Sequence, residues 1–390
     1  MAQQLFSSGC MFQTFRIVVK GRSTINHRTI TDLCNVYFSR GIRPFNMLSF
    51  SWSQHSSVCV SVISRPIYCD LQRHIRHFIT SARSFKAIKI DGTVIAKEIN
   101  DEVKSEVEAL KAAGKRSPHL AVILVGSDPA SVVYVKNKAK AAEYTGISCD
   151  ILRIPKSVTE QELLKEIDFL NSLPDNDGIL VQLPLPSHIN TRSICDAVSP
   201  HKDVDGFNVL NVGRFCVDQR AFIPATPSGV LEIIRRLGIQ TCGKNAVVCG
   251  RSKNVGLPIA LHLHSDGNGG NNAGDATTTI CHRNTPPDQL KFFTKAADII
   301  ITATGVPGLV TADMVKDGVV VIDIGITRIL DARGKPKLVG DVDYESVSEK
   351  ASYITPVPGG VGPVTVAMVI KNTLIAYKNE IDFGKKYSTK

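Results

Sequence analysis

No run of roughly 18 or more apolar residues occurs anywhere in this 390-residue chain, so the sequence predicts no membrane-spanning helix. None of the ten cysteines forms a C-x-x-C pair, and no cysteine–histidine group has zinc-site spacing. That argues against both a structural zinc site and a disulfide framework. Four cysteines (Cys10, Cys34, Cys59, Cys69) lie near the amino terminus. The other six (Cys149, Cys195, Cys216, Cys242, Cys249, Cys281) are scattered, as in a protein of a reducing compartment. The start of the chain lacks the compact apolar core that a secretory signal needs. No internal repeat at a fixed period is present. What remains is an ordinary globular composition, 43% hydrophobic and 21% charged, long enough for about two or three domains.

Acidic residues are nearly missing from the first 86 positions, where Asp32 and Asp70 face eleven lysines and arginines. This arm therefore carries +9 of the total formal charge of +10. The body is close to neutral, and the basic total is no argument for nucleic-acid binding. An arm rich in Arg, Ser and His and poor in acids has the composition of a mitochondrial presequence; the alternative is a disordered basic tail. Processing is expected near Ser81–Lys86, and Met47 is a candidate internal start.

From Ala87 onward, helix and strand patterns alternate. Helices are expected over 91–113, 130–145 and from Glu160, the last capped by Val158-Thr159. Strands are expected over 119–126, 148–154 and 177–181. A second unit begins near Gly238, with strands over 244–249, 276–282, 297–303, 318–325 and 351–354. Its order of strand, glycine loop, helix and strand is the mononucleotide-binding half of a doubly wound sheet. The tract 266–274, rich in Gly and Asn, reads as a flexible surface loop. A closing helix over 366–380 is expected to pack back on the first domain. The fold class is thus two α/β domains, the second a Rossmann-like parallel sheet, with a C-terminal helix returning to the first. The expected boundaries are an arm at 1–86, a first domain at 87–236 with 360–380, a second at 237–355, and a tail at 381–390.

Several short stretches carry chemistry. Thr355-Pro-Val-Pro-Gly-Gly-Val-Gly-Pro-Val-Thr365 holds three prolines and three glycines in eleven residues. It reads as a shaped, ligand-facing loop ahead of a helix whose first N–H groups are free. Gly250-Arg251-Ser252-Lys253-Asn254-Val255-Gly256 follows a strand and precedes a helix, where small residues let the backbone approach a pyrophosphate. It is neither G-x-G-x-x-G nor the hydrolase elbow G-x-S-x-G. Thr302-Ala303-Thr304-Gly305 and Asp323-Ile324-Gly325 end later strands of the same unit, at the edge where open sheets bind ligands. Tyr134 and Lys138 stand four apart on one helix face. They read either as a solvated lysine beside a half-buried tyrosine or as a lysine made reactive by desolvation. Gln182, at a strand end, is in a position to contact that lysine. Asp203 and Asp205 sit in a glycine-containing loop of the kind that is commonly a turn.

Taken in order, Tyr134-Val135-x-x-Lys138, Val181-Gln182-Leu183-Pro184-Leu185-Pro186, Lys202-Asp203-Val204-Asp205-Gly206, Gly250-Arg251-Ser252 and Pro356-Val357-Pro358-Gly359-Gly360-Val361-Gly362-Pro363 resemble the methylenetetrahydrofolate dehydrogenase/cyclohydrolase family. The resemblance runs from Ala87 to about Tyr377. It implies that Lys138 is the catalytic lysine of methenyl hydrolysis, tuned by Gln182. Tyr134 would pack on the aminobenzoyl group, Asp205 would bind the pterin ring, and Pro358, Gly359 and Gly360 would shape the folate cleft. It implies a dinucleotide site at Gly250, Arg251, Ser252, Gly256, Arg283, Thr304, Gly305 and Ile326, a homodimer, and the mitochondrial matrix.

Arg283, after the strand that ends at Cys281, would ordinarily suggest the 2′-phosphate of NADP. Together with the 266–274 loop, Asp275 and Arg251, however, the set resembles the mitochondrial NAD-dependent branch of the family. There, inorganic phosphate held by Arg251 and Arg283, with Mg²⁺ near Asp275, would fill the space of the missing group. The expected cofactor is NAD, with NADP use open. Two further readings stay open: another dinucleotide-dependent oxidoreductase with no role for Lys138, and a folate- or nucleotide-binding protein without turnover.

Overall fold

A computed structural model describes residues 86–267, 273–330 and 334–384, together with 15–18, 50–53 and 57–62. The chain divides into two compact units, Met1–Ser84 and Phe85–Lys390. In the first, strands β1 (Phe15–Val18), β2 (Phe50–Ser53) and β3 (Ser57–Val62) form an antiparallel sheet in the order β1-β3-β2.

The second unit is built on two parallel sheets. One joins β5 (His119–Val125), β6 (Ser148–Ile154) and β7 (Gly178–Val181) in the order β6-β5-β7. The other contains β4 (Ile88–Lys89), β8 (Asn245–Cys249), β9 (Thr277–Cys281), β10 (Ile299–Thr302), β11 (Val320–Asp323) and β14 (Tyr353–Ile354), in the order β4-β14-β11-β10-β8-β9. Within it, β9-β8-β10-β11-β14 follows the 2-1-3-4-5 pattern of doubly wound sheets, whose ligand crevice opens where the order reverses, between β8 and β10. The edge strand β4 and an antiparallel hairpin, β12 (Thr327–Leu330) with β13 (Pro336–Val339), are not apparent from the sequence patterns.

Side-chain alternation explains why the parallel strands read as unbroken apolar runs. On β5, Leu120, Val122 and Leu124 face one apolar cluster, while Ala121, Ile123 and Val125 face another. On β8 and β10, Ala246, Val248, Ile299 and Ile301 enter the first of these clusters; Val247, Cys249 and Ile300 enter a third. The shared cluster lies around α1 (Gly92–Ala112), α6 (Ala225–Arg236) and α10 (Val361–Tyr377), which fill the space between the two sheets.

Local chemistry sets these helices. The Asp91 carboxylate accepts the N–H groups of Thr93 and Val94 at 2.9 and 3.3 Å, opening α1. Ile95, Ile99, Val103 and Val107, four apart, are its buried stripe. Between Asp128, which caps it, and the left-handed Gly146 lies α2 (Pro129–Thr145). A Thr159/Glu162 capping box opens α3 (Glu160–Ser172). The carboxylate of Glu232 on α6 holds Arg236, which also pairs with Glu102 on α1 at 2.7 Å. The remaining helices are α4 (Thr191–Ala197), α5 (Val209–Cys216), α7 (Gly256–His264), α8 (Pro287–Ala296) and α9 (Tyr344–Ser348).

The expected last helix starts earlier than its pattern suggests. Residues 355–360 are loop, but α10 begins at Val361 and ends at Tyr377. Pro363 falls in its first turn, where no N–H is needed, so proline does not break it. Of the 266–274 tract, residues 268–272 lie outside the described residues.

Candidate active site

A cleft of about 730 Å³ runs between α1, α2 and the 356–363 segment. A second chamber of about 310 Å³ adjoins it, and Tyr134, Ile324, Ile326, Val361, Gly362 and Val366 line both. Lys138 and Tyr134 stand on the same face of α2, as their spacing predicts, and both line the second chamber. Lys138 is only 7% exposed. Its Nζ donates to Gln182 Oε1 at 3.0 Å, and Gln182 Nε2 donates to the Leu183 carbonyl at 2.8 Å, which orients the amide. Asp205 lines the same chamber. Burial lowers the Lys138 pKa, and the negative charge of Asp205 offsets part of that shift. Burial likewise raises the Asp205 carboxyl, with Lys138 opposing. Tyr134 is half-buried, and its phenol is pushed up by that burial.

The two aspartates of the 203–206 loop have separate tasks. Asp203, 3% exposed, accepts the N–H groups of Phe207 (3.1 Å) and Asn208 (2.7 Å) and the amide of Asn211 (2.9 Å). Burial pushes its carboxyl up to about 6, against the pull of those donors. Asp203 therefore builds the turn and leaves Asp205 to the chamber. Gly206, at φ +69°, sits where a Cβ would meet the Phe222 carbonyl oxygen at 2.6 Å.

The Pro/Gly loop rests on the start of α1. Gly92 N–H donates to the Gly359 carbonyl at 2.9 Å, and a Cβ on Gly92 would lie 1.6 Å from the Gly360 carbonyl oxygen. Pro356, Pro358, Gly359 and Gly360 line the larger cleft. The Val357–Pro358 and Leu183–Pro184 peptide bonds are cis.

At the β8/β10 reversal the backbone is too close for side chains. Gly250, at φ +133°, would place a Cβ 2.5 Å from the Ala303 carbonyl oxygen, and one on Gly256 would lie 2.3 Å from the Gly250 carbonyl oxygen. These contacts fit a dinucleotide turn. Ser252 Oγ accepts the N–H groups of Val255 and Gly256 at 3.2 and 3.3 Å, so its side chain is spent on the helix start. The N–H and hydroxyl of Thr304 and the N–H of Gly305 donate to Asp341. Arg251 and Arg283 are exposed, each two residues beyond the paired strand ends Cys249 and Cys281, on neighbouring loops.

Asp275, expected beside these arginines, stands elsewhere. It precedes β9, its N–H donates to the Ser265 carbonyl after α7, and its carboxylate accepts Cys242 Sγ at 3.3 Å. Parallel strands put that end of β9 on the sheet edge opposite Arg283. Among the described residues, no group of three or more His, Cys, Asp or Glu is placed to hold a metal. The residues do not fit an Mg²⁺ shared by Asp275 and the arginine pair.

Sequence reasoning passed over Thr226, gave Thr365 and Asn254 no role beyond the loops that contain them, and gave Gly92 no role in the cleft; the first three line the smaller chamber. Only the Asp91-Gly92 helix opening hinted at the last. The Thr365 hydroxyl donates to Thr226 Oγ1 at 3.2 Å.

A doubly wound dinucleotide-type sheet beside a cleft that buries a lysine against a glutamine defines a nucleotide-linked α/β enzyme of two parallel sheets. The family model for the tetrahydrofolate dehydrogenase/cyclohydrolase catalytic domain matches residues 90–205, and that for the family's NAD(P)-binding domain matches 224–381. A rat protein named bifunctional methylenetetrahydrofolate dehydrogenase/cyclohydrolase 2, mitochondrial, is 56% identical over 309 residues, 79% of this chain and 91% of the relative. A silkworm 5,10-methylenetetrahydrofolate dehydrogenase structure superposes with TM-score 0.71 at 50% identity, covering 75% of this chain and 99% of the other. A Trypanosoma brucei dehydrogenase-cyclohydrolase, solved with NADP cofactor and inhibitor, matches with TM-score 0.70 at 40% identity, covering 75% and 98%. The chain belongs to the tetrahydrofolate dehydrogenase/cyclohydrolase family.

Gly92→Ala tests the seating of the Pro/Gly loop. The added methyl displaces the Gly359–Gly360 backbone, and binding of a folate analogue is expected to weaken about tenfold or more, since small misplacements at a site are costly. Calorimetry showing unchanged affinity would refute this.

Proposed function

We propose that this protein oxidises 5,10-methylenetetrahydrofolate to the 5,10-methenyl form with a nicotinamide dinucleotide, and hydrolyses that product to 10-formyltetrahydrofolate, in the mitochondrion. The observation that carries the reading is the buried Lys138–Gln182 hydrogen bond, with Asp205 in the same chamber and the dinucleotide edge close by. The relatives' names and the basic, acid-poor arm support it. A nicotinamide dinucleotide held by the turn at Gly250–Gly256 would supply the hydride acceptor.

The residues divide the remaining work. Tyr134 packs on the aminobenzoyl ring, Asp205 accepts pterin N–H groups, and Pro358, Gly359 and Gly360 wall the cleft. Lys138, low in pKa because it is buried, takes the proton from water as it attacks the methenyl carbon. Gln182 keeps the amine pointed at the reacting atom. Hydride transfer needs no acid or base, only approach and alignment.

For Lys138→Ala we expect methenyl hydrolysis to fall by about 10²–10⁴-fold, while the variant still binds folate. The neutral amine is the active form, so hydrolysis in the wild type rises with pH and levels off below the ordinary lysine pKa. Stopped-flow absorbance of the methenyl form reads both. Full hydrolysis by the alanine variant would end the assignment.

We also propose that NAD is the preferred cofactor, with inorganic phosphate between Arg251 and Arg283. The support is that both arginines are exposed and lie two residues past the paired ends of β8 and β9, on adjacent loops. Initial rates with NAD⁺ and NADP⁺, each with and without phosphate and Mg²⁺, test it. NAD⁺ turnover should rise with phosphate, and Arg283→Ala should lose that stimulation. NADP⁺ preference unaffected by phosphate would return Arg283 to the 2′-phosphate. A homodimer belongs to the same proposal; light scattering that gives a monomer mass would remove it.

A further inference from the structure

Asp323, at the end of β11, is 4% exposed and touches three separate segments. Its Oδ1 accepts the Thr302 hydroxyl at 2.8 Å and the Gly325 N–H at 3.0 Å; its Oδ2 accepts the Val342 N–H at 2.9 Å. Its own N–H donates to Thr355 Oγ1 at 2.6 Å. The fit is close: a Cβ on Gly340 would lie 1.9 Å from Asp323 Oδ2, and one on Gly325 would lie 2.1 Å from Asp341 Oδ1. Asp341 in turn holds Thr304 and Gly305.

The segments so fixed are the ones that face the substrate. Gly325 lies between Ile324 and Ile326, which line both chambers. Thr355 is the stem of the loop that carries Pro356, Pro358, Gly359 and Gly360. By contrast, the Lys138 group is assembled from α2, the end of β7 and the 203–206 loop. None of these hydrogen-bonds to Asp323.

We propose that Asp323 is a positioning residue for hydride transfer: by clamping Gly325 and Thr355 it fixes the gap between the dinucleotide edge and the folate cleft. The inference rests on the folate reading above. Two groups that must approach in line lose rate steeply with small displacements, and a clamp on both walls of that gap sets the alignment. Methenyl hydrolysis depends on Lys138, Gln182 and Asp205, none of which hydrogen-bonds to Asp323, so it feels the clamp only through the shared walls.

The test compares the two activities in the full chain. Asp323→Asn replaces an acceptor oxygen by a donor amide facing O–H and N–H donors. Thr355→Val removes the acceptor of the Asp323 N–H, and Thr355→Ser keeps it. We expect Asp323→Asn and Thr355→Val to lower dehydrogenase kcat about tenfold or more, given the steep cost of misalignment. The loss of methenyl hydrolysis should be several-fold smaller than that of dehydrogenase kcat, and Thr355→Ser should match the wild type. Equal loss of both activities, or unchanged dehydrogenase kcat in a folded Thr355→Val variant, would overturn the proposal. A wild-type protein lacking both activities would instead refute the folate reading itself.

Discussion

The site hangs on one buried helix, α10. Val364, Ala367, Val369, Ile370 and Leu374 are all within 3% of full burial, and they join α1, α2 and α6 into one core with faces of both sheets. That burial is the favourable term that fixes where the helix begins. Gly360 immediately precedes its first residue, Val361, so the Pro/Gly loop has little freedom left. It must end where the helix starts, and at Gly359 it meets the N–H of Gly92. Farther along, the Asn372 amide donates to the Val204 carbonyl at 2.8 Å, which ties the same helix to the loop that presents Asp205. One packed element thus sets both the cleft wall and the polar group opposite it.

Within that frame, the electrostatics of Lys138 follow from what surrounds it. A lysine taken out of water loses hydration that a single neutral amide cannot replace, so its charged form is disfavoured. Asp205 supplies the opposing charge and keeps the shift from running further. The same burial raises Asp205, so desolvation of the two groups offsets much of their mutual attraction. This balance makes the chamber suited to moving one proton. The larger cleft, mostly apolar along its walls, is suited to holding a ring system still.

Much of this was legible in the sequence because it is local. The four-residue spacing of Tyr134 and Lys138, the strand-end position of Gln182, and the glycine turn after β8 are properties of short segments, and each lies where those patterns put it. What was not legible depends on contacts between distant segments. The β4 edge strand is two residues long and owes its existence to pairing with β14. Asp203 and Asp205 look alike in sequence; only the donors of Phe207, Asn208 and Asn211 separate the structural one from the other. Asp275 fails for a third reason. Its distance in sequence from Arg283 is short, but a strand lies between them, and a strand carries its two ends to opposite edges of a sheet.

The shared walls explain how one cleft serves two reactions with unlike demands. Hydride transfer asks for a fixed gap between two rings and for no proton. Hydrolysis asks for a proton acceptor and tolerates a looser ring. Ile324, Ile326, Val361 and Gly362 line both chambers and belong to backbone segments clamped at their bases. Lys138, Gln182 and Asp205, from α2, the end of β7 and the 203–206 loop, line the smaller chamber. The two chambers thus share their walls, while Lys138, Gln182 and Asp205 belong to the smaller one alone.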